Sequence, residues 1–362
     1  MQAGYRGAVS ILSCAVALAL GCSADTGAPG DAPDSGQTAD VRASVPDAAA
    51  KAGDVAPVVD AAPVEANDGP TGWASVAGDG LNGTTGGRGG ATVTASTLSE
   101  LQKHAASAGP LVIQVSGTPA EGDINVASDK TLVGLAGAVV RGSIKIKDAQ
   151  NIIVANLAIV GRNCSDSPSD CGAGSDAVGV RRSHHLWFDH LDISDGSDGN
   201  LDLTKKTNYV TVSWCKFWYT NAKRDHRLSN LVGGSDSDDE DKGKLKVTFH
   251  HNWWGQHVTS RMPRARHGQM HVFNNLYTAS GNSYCIVSAI GASLLVESNV
   301  FSGVKSPHRV QQGGKLRAVG NRYVNVSGDK QSTGSAFVPP YSYQLQPTAD
   351  LAATIKASAG AR

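Results

Sequence analysis

The sequence predicts an all-β solenoid, a parallel β-helix with long loops on one side forming a groove. Three observations lead there. Short β-branched and aromatic runs recur at a near-constant interval, a polar residue falls at the same place in each run, and helical periodicity is scarce. The runs are NIIVANLAI from 151, HLWFDHLDI from 185, YVTVSWCKF from 209, KVTFHHNWW from 246, MHVFNNLYT from 270, LLVESNVFS from 294 and LRAVGNRYV from 316. Aligned, they put Asn156, His190, Cys215, Asn252, Asn275, Asn299 and Asn321 in one column. Its last three intervals are 23, 24 and 22 residues, and 190 to 215 is 25. Units this short cannot bury an apolar face alone, so neighbouring repeats must stack. Stacking sets column residues about 4.8 Å apart, where asparagine amides can hydrogen-bond from one coil to the next.

The chain of 362 residues divides into three parts. Residues 1–22 carry one arginine, Arg6, then an apolar run closing on small residues, which is the pattern of a secretory leader. The run is too short to span a bilayer as a helix. It ends LALGC, which resembles the box at which bacterial lipoproteins are cut and lipidated, here on Cys22. Residues 23–70 hold eight Asp and one Glu against Arg42 and Lys51, with no aromatic residue. Such a segment is expected to stay disordered, as a tether with an r.m.s. reach of about 40 Å. Residues 71–362 are the predicted β-helix domain, with 29 basic and 23 acidic groups, a mildly basic balance that suits a polyanionic partner. The protein is expected outside the cytoplasm, either released or anchored in a membrane through Cys22.

Export permits disulfides. Cys14 leaves with the leader. Cys164 and Cys171 bracket SDSPSD, a short polar loop that a bridge would close. Cys215 and Cys285 fall about three coils apart, beyond disulfide range, and are expected as buried free thiols.

Two intervals break the period: 156 to 190 is 34 residues and 215 to 252 is 37. Extra residues in a solenoid become loops on one side, often the binding side. The second insertion contains SDSDDED (235–241), which lacks EF-hand spacing and reads as a solvated turn. Between the insertions lies SDGSDGNLDL. Asp198 and Asp202 are four residues apart, so an extended strand would project both from one face, and Asp176 precedes Asp198 by 22 residues, or one coil. Three carboxylates so placed would raise one another's pKa unless a hard cation neutralised them, and an all-oxygen set suits Ca²⁺. Further on, SRMPRARHG (260–268) gathers Arg261, Arg264 and Arg266 around Pro263. Arg261 and Arg266 differ in parity, and a bend at Pro263 would bring both to one groove. Singly, these are turn-capping aspartates and a solvated basic turn. Together they predict a groove for an extended, carboxylate-rich polymer, because arginine binds carboxylate bidentately.

LWFDH (186–190), SDGNLDL, YVTVSW, HHNWW and RMPRARHGQMHVFNNLY, with the earlier GWASVAGDGLNGTTGGRGG, resemble the pectate lyases of the pectate/pectin lyase superfamily over about residues 72–345. The resemblance implies a right-handed parallel β-helix and Ca²⁺-dependent β-elimination of polygalacturonate, with 4,5-unsaturated oligogalacturonates as products. It also implies a pectic polysaccharide partner, no nucleic acid, and a monomer. Its calcium aspartates fall on Asp176, Asp198 and Asp202, its catalytic base on Arg261, and its second motif arginine on Arg266. The family's substrate-binding lysine has no counterpart at the expected distance. Arg227 lies nearest that place, and Lys223 is the other candidate.

An unperturbed arginine scarcely deprotonates. Arg261 as base therefore requires neighbouring positive charge, from Arg266 and Ca²⁺, and alkaline pH. Other readings of the same residues are a pectin lyase acting on methyl-esterified polymer, for which the three aspartates are superfluous, and a non-catalytic β-helix that binds polysaccharide. A glycoside hydrolase would need an acid–nucleophile carboxylate pair distinct from the calcium set.

Overall fold

Inward-facing residues of the repeats stack in files one coil apart, and those files are the core. Val210, Val247, Met270, Leu294 and Leu316 stand in one parallel register, with Val212, Phe249, Val272 and Val296 in the next inward file. All nine are buried. A computed structural model describes residues 69–162, 175–224 and 226–362, and within them the chain winds as a right-handed parallel β-helix. The leader, the tether up to residue 68, and the Cys164–Cys171 loop lie outside the described residues.

One coil shows the plan. Strand Lys246–His250 ends at a corner, strand Trp253–Trp254 follows, a loop leads to strand Arg264–Arg266, and Gln269–Phe273 begins the next coil on top of Lys246–His250. The first described α-helix, Leu98–Ala106, opens on a capping box between Thr97 and Glu100 and buries Leu101 and Ala105. It packs against Leu111–Val115 and Gly122–Val126 and so covers the first coils, closing an end that would otherwise expose apolar core.

The polar column is present from Cys215 onward. Asn252 Oδ1 accepts from Cys215 N at 2.9 Å, Asn275 Oδ1 from Asn252 N at 2.8 Å, Asn299 Oδ1 from Asn275 N at 2.9 Å, and Asn321 Oδ1 from Asn299 N at 2.9 Å. Asn156 and His190 stand one position earlier. Ala155 registers with Asp189, and Ser213 with Asp189 and with His250, so Leu191 is level with Cys215. Asn156 and His190 belong instead to the corner column with Trp214, His251, Asn274 and Ser298, all at φ between 48° and 56°. Asparagine tolerates that left-handed conformation better than most residues. Two residues past the ladder runs an interior aromatic file, Phe217, Trp254, Tyr277, Phe301 and Tyr323, with successive centroids 5.5, 4.7, 4.4 and 5.4 Å apart. Cys215 and Cys285 are buried free thiols, as expected.

Candidate active site

The aspartates meet because of a glycine. Strand Val178–Arg181 pairs with Leu201–Thr204 so that Gly179 faces Asp202. Asp176 therefore comes beside Gly199 of the next coil, where Ala177 N donates to Gly199 O at 3.0 Å. This corrects the expected geometry for Asp198. It lies in the bend ahead of Leu201–Thr204 instead of on the strand with Asp202, and Ser197 bonds Ser175 there. A Cβ on Gly199 would lie 2.8 Å from Asp202 Oδ1 and 3.1 Å from Asp176 Oδ1. The two carboxylate oxygens thus border the same small space. Asp202 Oδ1 accepts from Leu231 N at 2.9 Å, whereas Asp176 Oδ1 is buried with no hydrogen-bond partner.

Burial pushes the Asp176 carboxyl well above the usual carboxylate range, the charges of Asp202 and Asp198 add to this, and Arg181 and Arg261 oppose it. Burial likewise pushes Asp202 up to about 7, with Arg261 the largest opposing influence. Burial, helped at Asp176 by the like charges beside it, favours the protonated acids, and a bound cation would favour their ionised forms.

Arg261 sits two coils on from Asp202, since Leu203 registers with Val232 and Val232 with Ala265. It occupies a left-handed corner, φ 59°, ahead of a cis Met262–Pro263 peptide. Among the described residues its guanidinium forms no hydrogen bond or ion pair. Asn230 ties its backbone to the aspartate coil: Asn230 N donates to Arg261 O at 2.6 Å, and Asn230 Nδ2 donates to Leu201 O at 3.2 Å. Asn230 Oδ1 accepts from Trp254 Nε1 at 2.8 Å, so a fully buried amide holds the base candidate against the carboxylate strand. Sequence reading gave Asn230 no role.

Arg266 is placed differently from expectation. Its Nε bonds Asp236, holding that carboxyl below its usual range, and its Nη1 donates to Gly233 O at 3.0 Å. Its charge is thereby matched by a local acid. The second arginine acting on Asp176 and Asp202 is Arg181, two residues past Gly179 on the same strand. Arg227 spends its donors on the carbonyls of Arg224, at 2.9 Å, and His257, at 3.2 Å. Lys223 is exposed. The acidic run 235–241 is not simply solvated either. Asp241 is fully buried and accepts from Lys206 N, and Asp238 takes Lys205 Nζ at 2.6 Å. Both carboxylates fasten the left-handed Lys205–Lys206 turn.

Fold and site together define a class: a parallel β-helix protein with convergent carboxylates and an arginine on its loop side. The chain belongs to the pectate lyase family, whose model matches residues 43–362. It is 42% identical over 239 residues to a pectate trisaccharide-lyase of Thermotoga maritima, covering 62% of this chain and 63% of that one. It is 32% identical over 302 residues to a pectate trisaccharide-lyase of Bacillus licheniformis, covering 77% and 83%. The chain thus spans just under two thirds of the Thermotoga relative's length. Among solved structures, the pectate lyase of Bacillus sp. N165 in complex with trigalacturonate superposes with a TM-score of 0.66 at 28% identity, over 81% of this chain and 98% of that one.

Proposed function

We propose that the chain is a pectate lyase that cleaves de-esterified polygalacturonate by β-elimination, leaving 4,5-unsaturated oligogalacturonates. The observation that carries this reading is the pair of buried carboxylates, Asp176 and Asp202, meeting at Gly199 within the field of Arg261. Family membership and the relatives' names support the substrate class.

The donor set fits calcium. It offers only oxygen, one atom of it is buried and unpartnered, and the carboxylates raise one another's pKa. Among the described residues no three acidic, histidine or cysteine side chains enclose an ion by themselves. A uronate carboxylate is therefore the natural completing ligand, with Asp176, Asp202 and the half-buried Asp198 as the protein's share. Calcium there supplies charge neutralisation for the sugar carboxylate, which makes the adjacent C5 proton more acidic.

The protein's own part in the reaction is acid–base and positional. Arg261 is the base that takes the C5 proton. The C5–H electron pair becomes the C4=C5 double bond, the C4–O bond breaks, and the departing oxygen gains a proton from solvent. Asn230 keeps Arg261 in register with the carboxylates, and Arg181 balances their charge. Ultraviolet absorbance of the conjugated product, from polygalacturonate against methyl-esterified pectin and with or without chelator, tests this. Absorbance only from the de-esterified polymer and only with calcium supports it. Equal rates on both polymers, or a rate that survives chelation, count against it.

The leader and acidic tether support export, with lipidation at Cys22 as the anchor. Among the described residues no helix is long and apolar enough to cross a membrane. Cys22→Ala should move the enzyme from the membrane fraction to the medium. Mass mapping of the unreduced protein tests the Cys164–Cys171 bridge.

A further inference from the structure

A cavity of about 520 Å³ opens beside the aspartate bend, within the size range of ligand pockets, about 300–1,000 Å³. Arg141, Arg162 and Arg224 line it against Glu121 and Asp195, with Trp218 among the walls. Arg162 is paired with Asp123. Arg224 is not so well served. Its side chain is 11% exposed, and among the described residues its one ion-pair partner within 4 Å is Asp195, 3.9 Å from Nη1. Asp195 Oδ1 is already taken by Thr220, accepting from N at 3.0 Å and from Oγ1 at 3.1 Å. The guanidinium makes no hydrogen bond among the described residues, yet none of its nitrogens is sealed off from the cavity. Five donors so far desolvated are best satisfied by an incoming anion, and a planar carboxylate matches their geometry. Arg141 is exposed on the same cavity and has no polar partner among the described residues. Trp218 is a fixed wall, because its Nε1 bonds Asp192 and Lys216 Nζ lies 4.7 Å from its ring centroid.

We propose that this cavity is a second saccharide subsite, holding the carboxylate of a uronate residue that flanks the one cleaved, with Arg224 and Arg141 as its cationic contacts and Trp218 as its apolar wall. Its place in the solenoid fits. Arg141 registers with Val160 and Val160 with Ser194, so the cavity reaches two coils back from the aspartate coil, whereas Arg261 lies two coils beyond it. Arg141 and Arg261 are on the order of 20 Å apart along the axis. The sugar to be cleaved lies between the aspartates and Arg261, so a polymer lying along the solenoid brings a flanking residue to the cavity on the other side of the aspartate coil. The inference rests on the pectate lyase reading, and the two can fail separately.

Steady-state kinetics on polygalacturonate, read as unsaturated product, provide the test. Arg224→Ala should raise KM about ten-fold, the worth of one charge-assisted hydrogen-bonding group, and leave kcat within about two-fold. Arg224→Lys should recover part of the loss. Arg141 is exposed, so Arg141→Glu tests the same cavity without threatening the fold, and it should raise KM by a similar factor. A parent enzyme that makes no unsaturated product defeats the pectate lyase reading itself. An active parent whose Arg141→Glu variant keeps its KM overturns the subsite, whether or not Arg224→Ala folds. So does an Arg224→Ala variant that loses only thermal stability.

Discussion

The missing side chain of Gly199 leaves open the space bounded by Asp202 Oδ1, which would lie 2.8 Å from a Cβ there. Gly199 does not need glycine for its backbone, because its φ lies outside the left-handed region. Gly199→Ala should therefore keep the fold and force Asp176 and Asp202 apart. Calcium affinity by titration calorimetry should fall about 10–100-fold, as when ligand geometry is disturbed elsewhere. Unchanged affinity would mean that the two carboxylates do not share an ion.

The same carboxylates give the metal-free protein an inverted pH response. Asp202 keeps its proton in the folded state up to about 7, whereas the ordinary value is 3.8. Between those limits the folded state binds more protons than the unfolded one, so stability falls as pH rises from about 4 to about 7. Asp176 acts in the same direction. In chelator, Tm should decline across that window, and Asp202→Asn should flatten the decline. Added calcium should stabilise most at the alkaline end, where its ligands are ionised. A Tm that climbs over this range without calcium would contradict the burial argument.

Asn275 sits mid-ladder with every amide position used. Its Oδ1 accepts from Asn252 N and Nδ2, at 2.8 and 3.0 Å, and its Nδ2 donates to Asn299 Oδ1, Phe249 O and Phe273 O, each at 2.9 Å. Asn275→Ala strands buried groups on both neighbouring coils and should cost about 3 kcal/mol in denaturant unfolding. Asn321, half-exposed at the column's end, should cost about 1 kcal/mol. Equal costs at the two positions would argue against a cooperative ladder.

Asn230 should act on rate rather than on affinity. It touches Arg261 through the backbone alone, so Asn230→Ala should lower kcat by more than ten-fold at nearly constant calcium affinity, as misplacing a reacting group does. A matched loss of calcium binding would show that Asn230 serves the aspartate strand instead.

The repeats were legible because a solenoid writes its period directly into the sequence. The register was less so. Two adjacent columns at each corner both accept polar residues, one for the left-handed turn and one for the ladder, and spacing alone put Asn156 and His190 in the wrong one. Asp176 and Asp202 were recognisable as carboxylates one coil apart, but their meeting point depends on a stacked glycine, which spacing does not reveal. The loop arginines were the hardest to read. Arg227 turned to backbone carbonyls, Arg266 to Asp236, and Arg224, between the two candidates considered, turned to the cavity. Which way a loop guanidinium points is decided by acceptors brought from other coils, and those are invisible before the coils stack.

The account stands most directly on Arg261. The decisive measurement is the initial rate of unsaturated product formation from polygalacturonate at saturating calcium and alkaline pH, for the parent and for Arg261→Lys. Lysine keeps the positive charge but loses the guanidinium, so kcat should fall by the 10²–10⁴-fold typical of losing a general base, with calcium affinity little changed. A variant that turns over at close to the parent rate would contradict the assignment of Arg261 as the base.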